Sequence, residues 1–189
     1  FSQEITMKVA LLHNVNRGQN EHETEFDLPI TIDALTTALS KEHSVVPIEC
    51  TREFTRWIAQ LVLEKPDIVF NVAEGYNGPV REAAFPVLCE QLDIPYTGPD
   101  ASSLLICHNK AITKKLLAHA NIPMAWGRLI RSESDLQSLK NEDVPFPLIV
   151  KPFCVSFSTQ ITSLSARGYV ARSFGSTMNA PSSPRPTWS

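Results

Sequence analysis

Between Met7 and Pro152, short apolar runs alternate with stretches whose apolar residues recur at helical spacing, and that alternation most constrains the fold. Lys8 to Asn14 (KVALLHN) reads as a short strand buried on both faces, the pattern of a parallel sheet. From Asp27 the spacing predicts a helix, with Asp27 as its cap, Pro29 in the first turn, and Leu28, Ile32, Leu35 and Leu39 on one face. Ser44 to Cys50 reads as a second strand, placed at an edge because Pro47 has no N–H to give a neighbour. Thr51 to Glu64 is expected to be a helix burying Phe54, Trp57, Ile58, Leu61 and Val62. Asp67 to Val72 is a third strand, Val80 to Leu92 a helix, and Ile94 to Thr97 a fourth strand. A βαβαβαβ order implies a parallel sheet with helices on both faces. Ligands of such sheets bind at the strand C-terminal ends, here the loops after Asn14, Val72 and Thr97.

Two helical stretches follow Asp100: Ala101 to Cys107, then one capped by Asn109 and carrying Ile112, Lys115, Leu116 and His119. Trp126 to Ile130 reads as a strand, Ser134 to Lys140 as a short helix and Phe146 to Lys151 as another strand. The alternation stops at Pro152. Residues 153–189 hold no Asp or Glu and end in the Pro/Ser-biased run NAPSSPRPTWS. Such composition buries too little apolar surface to offset the entropy of ordering, so this tail is expected to be disordered. A truncated, unrelated or frame-shifted end is the preferred reading over a basic interaction tail. FSQEIT, ahead of Met7, is a candidate for extraneous sequence.

Composition excludes several function classes. With 17 basic and 20 acidic side chains, a net charge of -3 and no dense Lys/Arg stripe, the chain offers nucleic acid little to grip. No uninterrupted apolar run exceeds four residues, whereas a membrane helix needs about 20 and a signal peptide about 7. No membrane partner and a cytoplasmic location are the default expectations. Cys50, Cys89, Cys107 and Cys154 form no CxxC pair and are expected to be reduced, mostly buried thiols. The five histidines show neither HxxxH nor HExxH spacing, so no metal site is read. No GxGxxG follows the first strand and no GK[ST] occurs, which argues against a Rossmann dehydrogenase and a Walker NTPase. A response-regulator receiver needs acidic residues where Leu12-His13-Asn14 and Asn71-Val72-Ala73 stand.

What remains is a set of loop residues, Glu23, Glu25, Glu74, Arg81 and Glu82, and two lysines, Lys110 and Lys151, each beside a helix start or strand end. Four segments carry a resemblance: DIVFNVAEG (67–75), IPYTG (94–98), NKAITKKLL (109–117) and FPLIVKP (146–152). In order and spacing they resemble the ATP-grasp ligases, specifically the D-alanine–D-alanine ligases and their close relatives. The resemblance runs from about Met7 to Pro152.

That resemblance implies an α/β fold in which a pre-ATP-grasp parallel-sheet domain (7–100) is followed by the start of an ATP-grasp module (101–152) and an atypical tail (153–189). It implies ATP and Mg2+ as cofactors, amino-acid substrates and a possible homodimer. Such ligases pass a phosphoryl group from ATP to a carboxylate and let an amine displace phosphate, a reaction that needs cations to neutralise charge between anionic partners. Lys110 and Lys151 match the family lysines that contact ATP phosphates. Glu23 aligns with the glutamate that orients the first substrate's amine, a role for charge-assisted hydrogen bonds, although Glu21 and Glu25 lie close enough to confuse the register.

Two departures matter. Glu74-Gly75 stands where the family has His-Gly, and GPVREA (78–83) replaces a Gly-Glu-Asp-Gly run. An acidic group in place of an imidazole favours a more cationic substrate or another ion-pair network, one that could involve Arg81; a purely structural Glu74–Arg81 pair is the alternative. After Lys151-Pro152 the family's acidic Gly/Ser loop and metal carboxylates give way to FCVSFSTQ. With no carboxylate after Asp143, this polypeptide is expected to be inactive by itself. The competing expectation is a non-catalytic α/β module that binds a small molecule or dimerises.

Overall fold

A computed structural model describes residues 5–19, 21–76, 78, 80–139, 142, 144 and 145. The proposed strand at 146–151, Lys151, Cys154 and the tail lie outside the described residues. Three parallel strands, β1 (Lys8–His13), β2 (Ser44–Glu49) and β3 (Ile68–Asn71), form a sheet in the order β2-β1-β3. Register is continuous: Lys8 pairs with Ser44 through His13 with Glu49, and Val9 pairs with Ile68 through Leu12 with Asn71. β1 is central, which is why its run is apolar on both faces; Ala10, Leu11 and Leu12 are fully buried. Pro47 sits on the edge strand β2, as its missing N–H demands.

The helices are α1 (Pro29–Leu39), α2 (Phe54–Glu64), α3 (Ala84–Gln91), α4 (Ala101–His108), α5 (Lys110–His119) and α6 (Glu133–Leu139). Ala10 and Leu12 of β1 pack with Ile48, Val69, Trp57 and Leu61 of α2, and Phe85 and Cys89 of α3 in one core. Cys50 and Cys89 are buried free thiols, whereas Cys107 is exposed.

Six expectations need correction. Asp27 does not cap α1: its carbonyl accepts the Asn16 N–H at 2.8 Å in a bridge between Val15 and Asp27, so the helix begins one residue later behind Leu28. The apolar stripe of α1 contributes only Ile32 as a buried residue, and Leu28 is exposed. On α2, Trp57 and Leu61 are buried, Ile58 is half-buried, and Phe54 and Val62 are exposed. Phe54 lies at the first turn and packs edge-on against Trp57 instead, centroids 4.9 Å apart. Ile94 to Thr97 makes a single bridge, Val69 with Tyr96, rather than a strand. Pro95 supplies a carbonyl to the Val69 N–H at 2.8 Å but has no N–H to extend the ladder. Trp126 to Ile130 is irregular. The helix expected at 80–92 divides into a 3-10 turn, Arg81–Ala83, and α3.

Candidate functional site

β1 ends in Asn14, a polar side chain only 1% exposed. A buried amide must be satisfied, and this one spans three segments. Its Nδ2 donates to the Cys50 carbonyl after β2 at 2.6 Å, and its Oδ1 accepts the backbone N–H groups of Glu74 and Gly75 after β3, each at 2.8 Å. One side chain thus pins the loops at the C-terminal ends of all three strands. Gly75 completes the turn at φ +75°, and a Cβ there would lie 3.1 Å from Arg81 Cβ and 3.2 Å from its carbonyl oxygen. Only glycine accepts both the conformation and the contact.

The loop after β1 folds around Glu23 in a 3-10 turn, Glu21–Glu25. Glu23 is buried, and its Oε2 accepts the N–H groups of Arg17 at 2.8 Å and Gln19 at 3.2 Å. Its carboxylate therefore shapes this loop. The Arg17 guanidinium reaches across the strand ends to grip Glu49 bidentately at 2.5 and 2.8 Å, and this hydrogen bonding holds the Glu49 carboxyl below its ordinary range. Tyr76, on the loop after β3, meets Phe26 edge-on at 4.9 Å and lies under the Arg52 guanidinium at 5.1 Å. An open cleft of about 400 Å³ lies beside these loops, lined in part by His13, Arg17, Asp33 and Thr36.

Arg81 is paired with Glu25, not Glu74: its Nη2 donates to Glu25 Oε2 and lies 3.9 Å from Glu82 Oε1. The Glu74–Arg81 pairing considered from the sequence is thus replaced by one between residues 56 positions apart. Glu74 faces Glu82 instead. Burial first, then the charge of Glu82 and a hydrogen bond to it, push the Glu74 carboxyl up to about 7. Glu82 also meets His108, at the end of α4, with Nδ1 to Oε1 at 3.2 Å. Three buried polar atoms of this cluster, Glu25 Oε1, Glu74 Oε2 and His108 Nε2, have no hydrogen-bond partner among the described residues.

Lys110 opens α5, immediately after the Asn109 cap. The Asn109 Oδ1 accepts the N–H groups of Ala111 and Ile112 at 3.2 and 3.1 Å, so these first-turn amides are already engaged. Lys114 has a different task, donating to the Ala125 carbonyl at 2.7 Å. Among the described residues no group of three or more His, Cys, Asp or Glu could hold a metal ion. The described residues therefore assemble no Mg2+ site of their own. Among them, too, no helix is long and apolar enough to cross a membrane.

The structure therefore gathers Glu23, Glu74, Gly75 and Arg81 on the loops after β1 and β3, and sets Lys110 two residues beyond His108. Asn14 and His108 were not singled out from the sequence. An asparagine closing a buried apolar strand was the available signal for the first; nothing in one dimension marks the second.

No protein-family profile matches the chain. The D-alanine–D-alanine ligase of Gluconobacter oxydans is 29% identical over 172 residues, covering 89% of this chain and 54% of that protein. That of Moorella thermoacetica is 30% identical over 152 residues, covering 77% and 46%. The crystal structure of D-alanine–D-alanine ligase from Bacillus anthracis matches with a TM-score of 0.57 at 23% identity, covering 85% of this chain and 50% of its own. The VanG D-Ala:D-Ser ligase from Enterococcus faecalis matches with a TM-score of 0.56 at 19% identity, covering 84% and 55%. At those identities the structural likeness concerns the fold. The chain spans about half the length of the curated relatives it matches.

Proposed function

We propose, on the premise that this chain is a relative of the D-alanine–D-alanine ligases corresponding to an N-terminal portion of them, that it supplies the amino-acid side of an ATP-dependent carboxylate–amine ligase site. The observation that carries this reading is the Asn14 pin, which ties the Glu74-Gly75 loop to the end of β1, where the Arg81–Glu25 pair and the Phe26–Tyr76 contact join it to the loop after β1. Residues 7–100 act as the pre-ATP-grasp domain and 101–152 as the start of the nucleotide module.

Within this reading, Glu23 shapes the loop that receives the substrate's ammonium. The backbone at Glu74 and Gly75 forms the facing wall, and Arg81, neutralised by Glu25, holds that wall in place. Glu74, with its Oε2 unpartnered among the described residues, offers an acceptor to a cationic substrate group. Lys110 and Lys151 contribute positive charge toward the phosphates of ATP, which supplies the phosphoryl group that activates a carboxylate. A cytoplasmic site of action and a homodimer belong to the same proposal.

The 189-residue polypeptide does not turn over, because its residues beyond Asp143 hold no carboxylate for a metal ion. The test is phosphate release with MgATP and mixed D- and L-amino acids. Release at the background rate is expected; release above background would refute the claim of an incomplete site.

A further inference from the structure

A largely enclosed line of polar and charged groups joins two parts of the molecule that sequence places far apart. Glu25, on the loop after β1, pairs with Arg81; Arg81 lies 3.9 Å from Glu82; and Glu82 meets His108 Nδ1 at 3.2 Å. Arg81 and His108 are among the most enclosed side chains of this set, 10% and 5% exposed, so solvent screens the contacts weakly. A carboxylate oxygen accepts, so His108 Nδ1 carries the hydrogen of its contact with Glu82. His108 is the last residue of α4; Asn109 and Lys110 follow at once and begin α5.

We propose that His108 is a positioning residue. Through Glu82 and Arg81 it fixes the start of the lysine-bearing helix α5 against the carboxylate-bearing loop after β1. The consequence is that the substrate loop and Lys110 move as one body, so ordering either one orders the other. By linkage that coupling is reciprocal. Local packing of α4 would bind His108 to its neighbours without reaching the Glu23 loop, and the two accounts differ there. The meaning of the device for catalysis rests on the ligase reading, in which Lys110 faces ATP. Its existence does not, since it can be measured without nucleotide.

Each end carries its own reporters. Ala111 and Ile112 donate their backbone N–H groups to Asn109, and Arg17 and Gln19 donate theirs to Glu23. Amide hydrogen exchange of the full chain is followed at these four positions and normalised to the core amides of β1. His108→Leu, which keeps bulk but cannot donate, is expected to raise normalised exchange at least threefold at both pairs. His108→Gln, whose side-chain amide can donate to Glu82, is expected to restore most of the protection at both. Glu25→Gln, made at the opposite end, is expected to loosen Ala111 and Ile112 as well as Arg17 and Gln19, and it decides the question if His108→Leu does not fold. Changes confined to the pair nearest each substitution, a uniform rise that includes β1, or equal behaviour of the Leu and Gln variants would each overturn the proposal. Amino-acid binding, followed at the amides of Glu74 and Gly75, tests the ligase reading separately, so failure of one leaves the other standing.

Discussion

Asn14→Ala is the substitution from which the fold predicts most. It removes three hydrogen bonds at once and leaves a buried Cys50 carbonyl and the half-buried N–H groups of Glu74 and Gly75 without partners. An unsatisfied buried polar group costs ~1–3 kcal/mol, at the lower end where water can reach it. Taking ~1–2 kcal/mol for the enclosed carbonyl and ~1 for each amide gives a loss of about 3–4 kcal/mol. That is a large share of the 5–15 kcal/mol typical of a domain. In urea, where a small domain loses roughly 1–3 kcal/mol per molar, the midpoint should fall by about 2 M with an unchanged slope. Trp57, only 3% exposed and within the core, makes fluorescence a suitable probe alongside circular dichroism. Asn14→Asp should recover part of the loss, since a carboxylate still accepts from both amides but opposes the Cys50 carbonyl. A midpoint shift under about 0.3 M for the alanine variant would refute the reasoning, because the pin would then not be holding the loops.

Other outcomes follow from single features. Gly75→Ala forces a left-handed backbone on an L-residue and drives its Cβ to within 3.1 Å of Arg81, so thermal unfolding should register a loss of about 2 kcal/mol. Leu11→Ala empties a fully buried site in the central strand and should cost ~2–5 kcal/mol in the same assay. The Glu74 carboxyl is raised from 4.5 to about 7 in the folded chain, so the folded state holds a proton that the unfolded state has released. Stability should therefore fall as pH rises from about 4.5 to about 7, then level off; Glu74→Gln should flatten this segment of the profile, and an unaltered slope would contradict the assignment.

The first three strands and the burial of β1 on both faces were legible because continuous apolar runs and turn residues act locally. Pro47 placed β2 at an edge for the same reason. The fourth strand was misread because a run containing Pro95 can accept from β3 at one bridge yet cannot continue donating. Asp27 was misread because its backbone is engaged by Asn16 in a bridge, a tertiary demand that outweighs its capping preference. At the candidate site, the Glu74-Gly75 loop and the Asn109 cap before Lys110 were visible as motifs. The partner of Arg81 was not, since a contact across 56 residues leaves no trace in local spacing. His108 was equally silent, because its burial comes from the fold and not from local spacing.

The central claim, that the pinned loops receive an amino acid, is tested most directly by 15N-resolved titration of the full chain with a panel of D- and L-amino acids. The account predicts that at least one shifts the amides of Arg17, Gln19, Glu74 and Gly75 together and saturably, and that Asn14→Ala abolishes the common response. Amino acids that leave these four amides unmoved across the panel, or that act only at other positions, would contradict it.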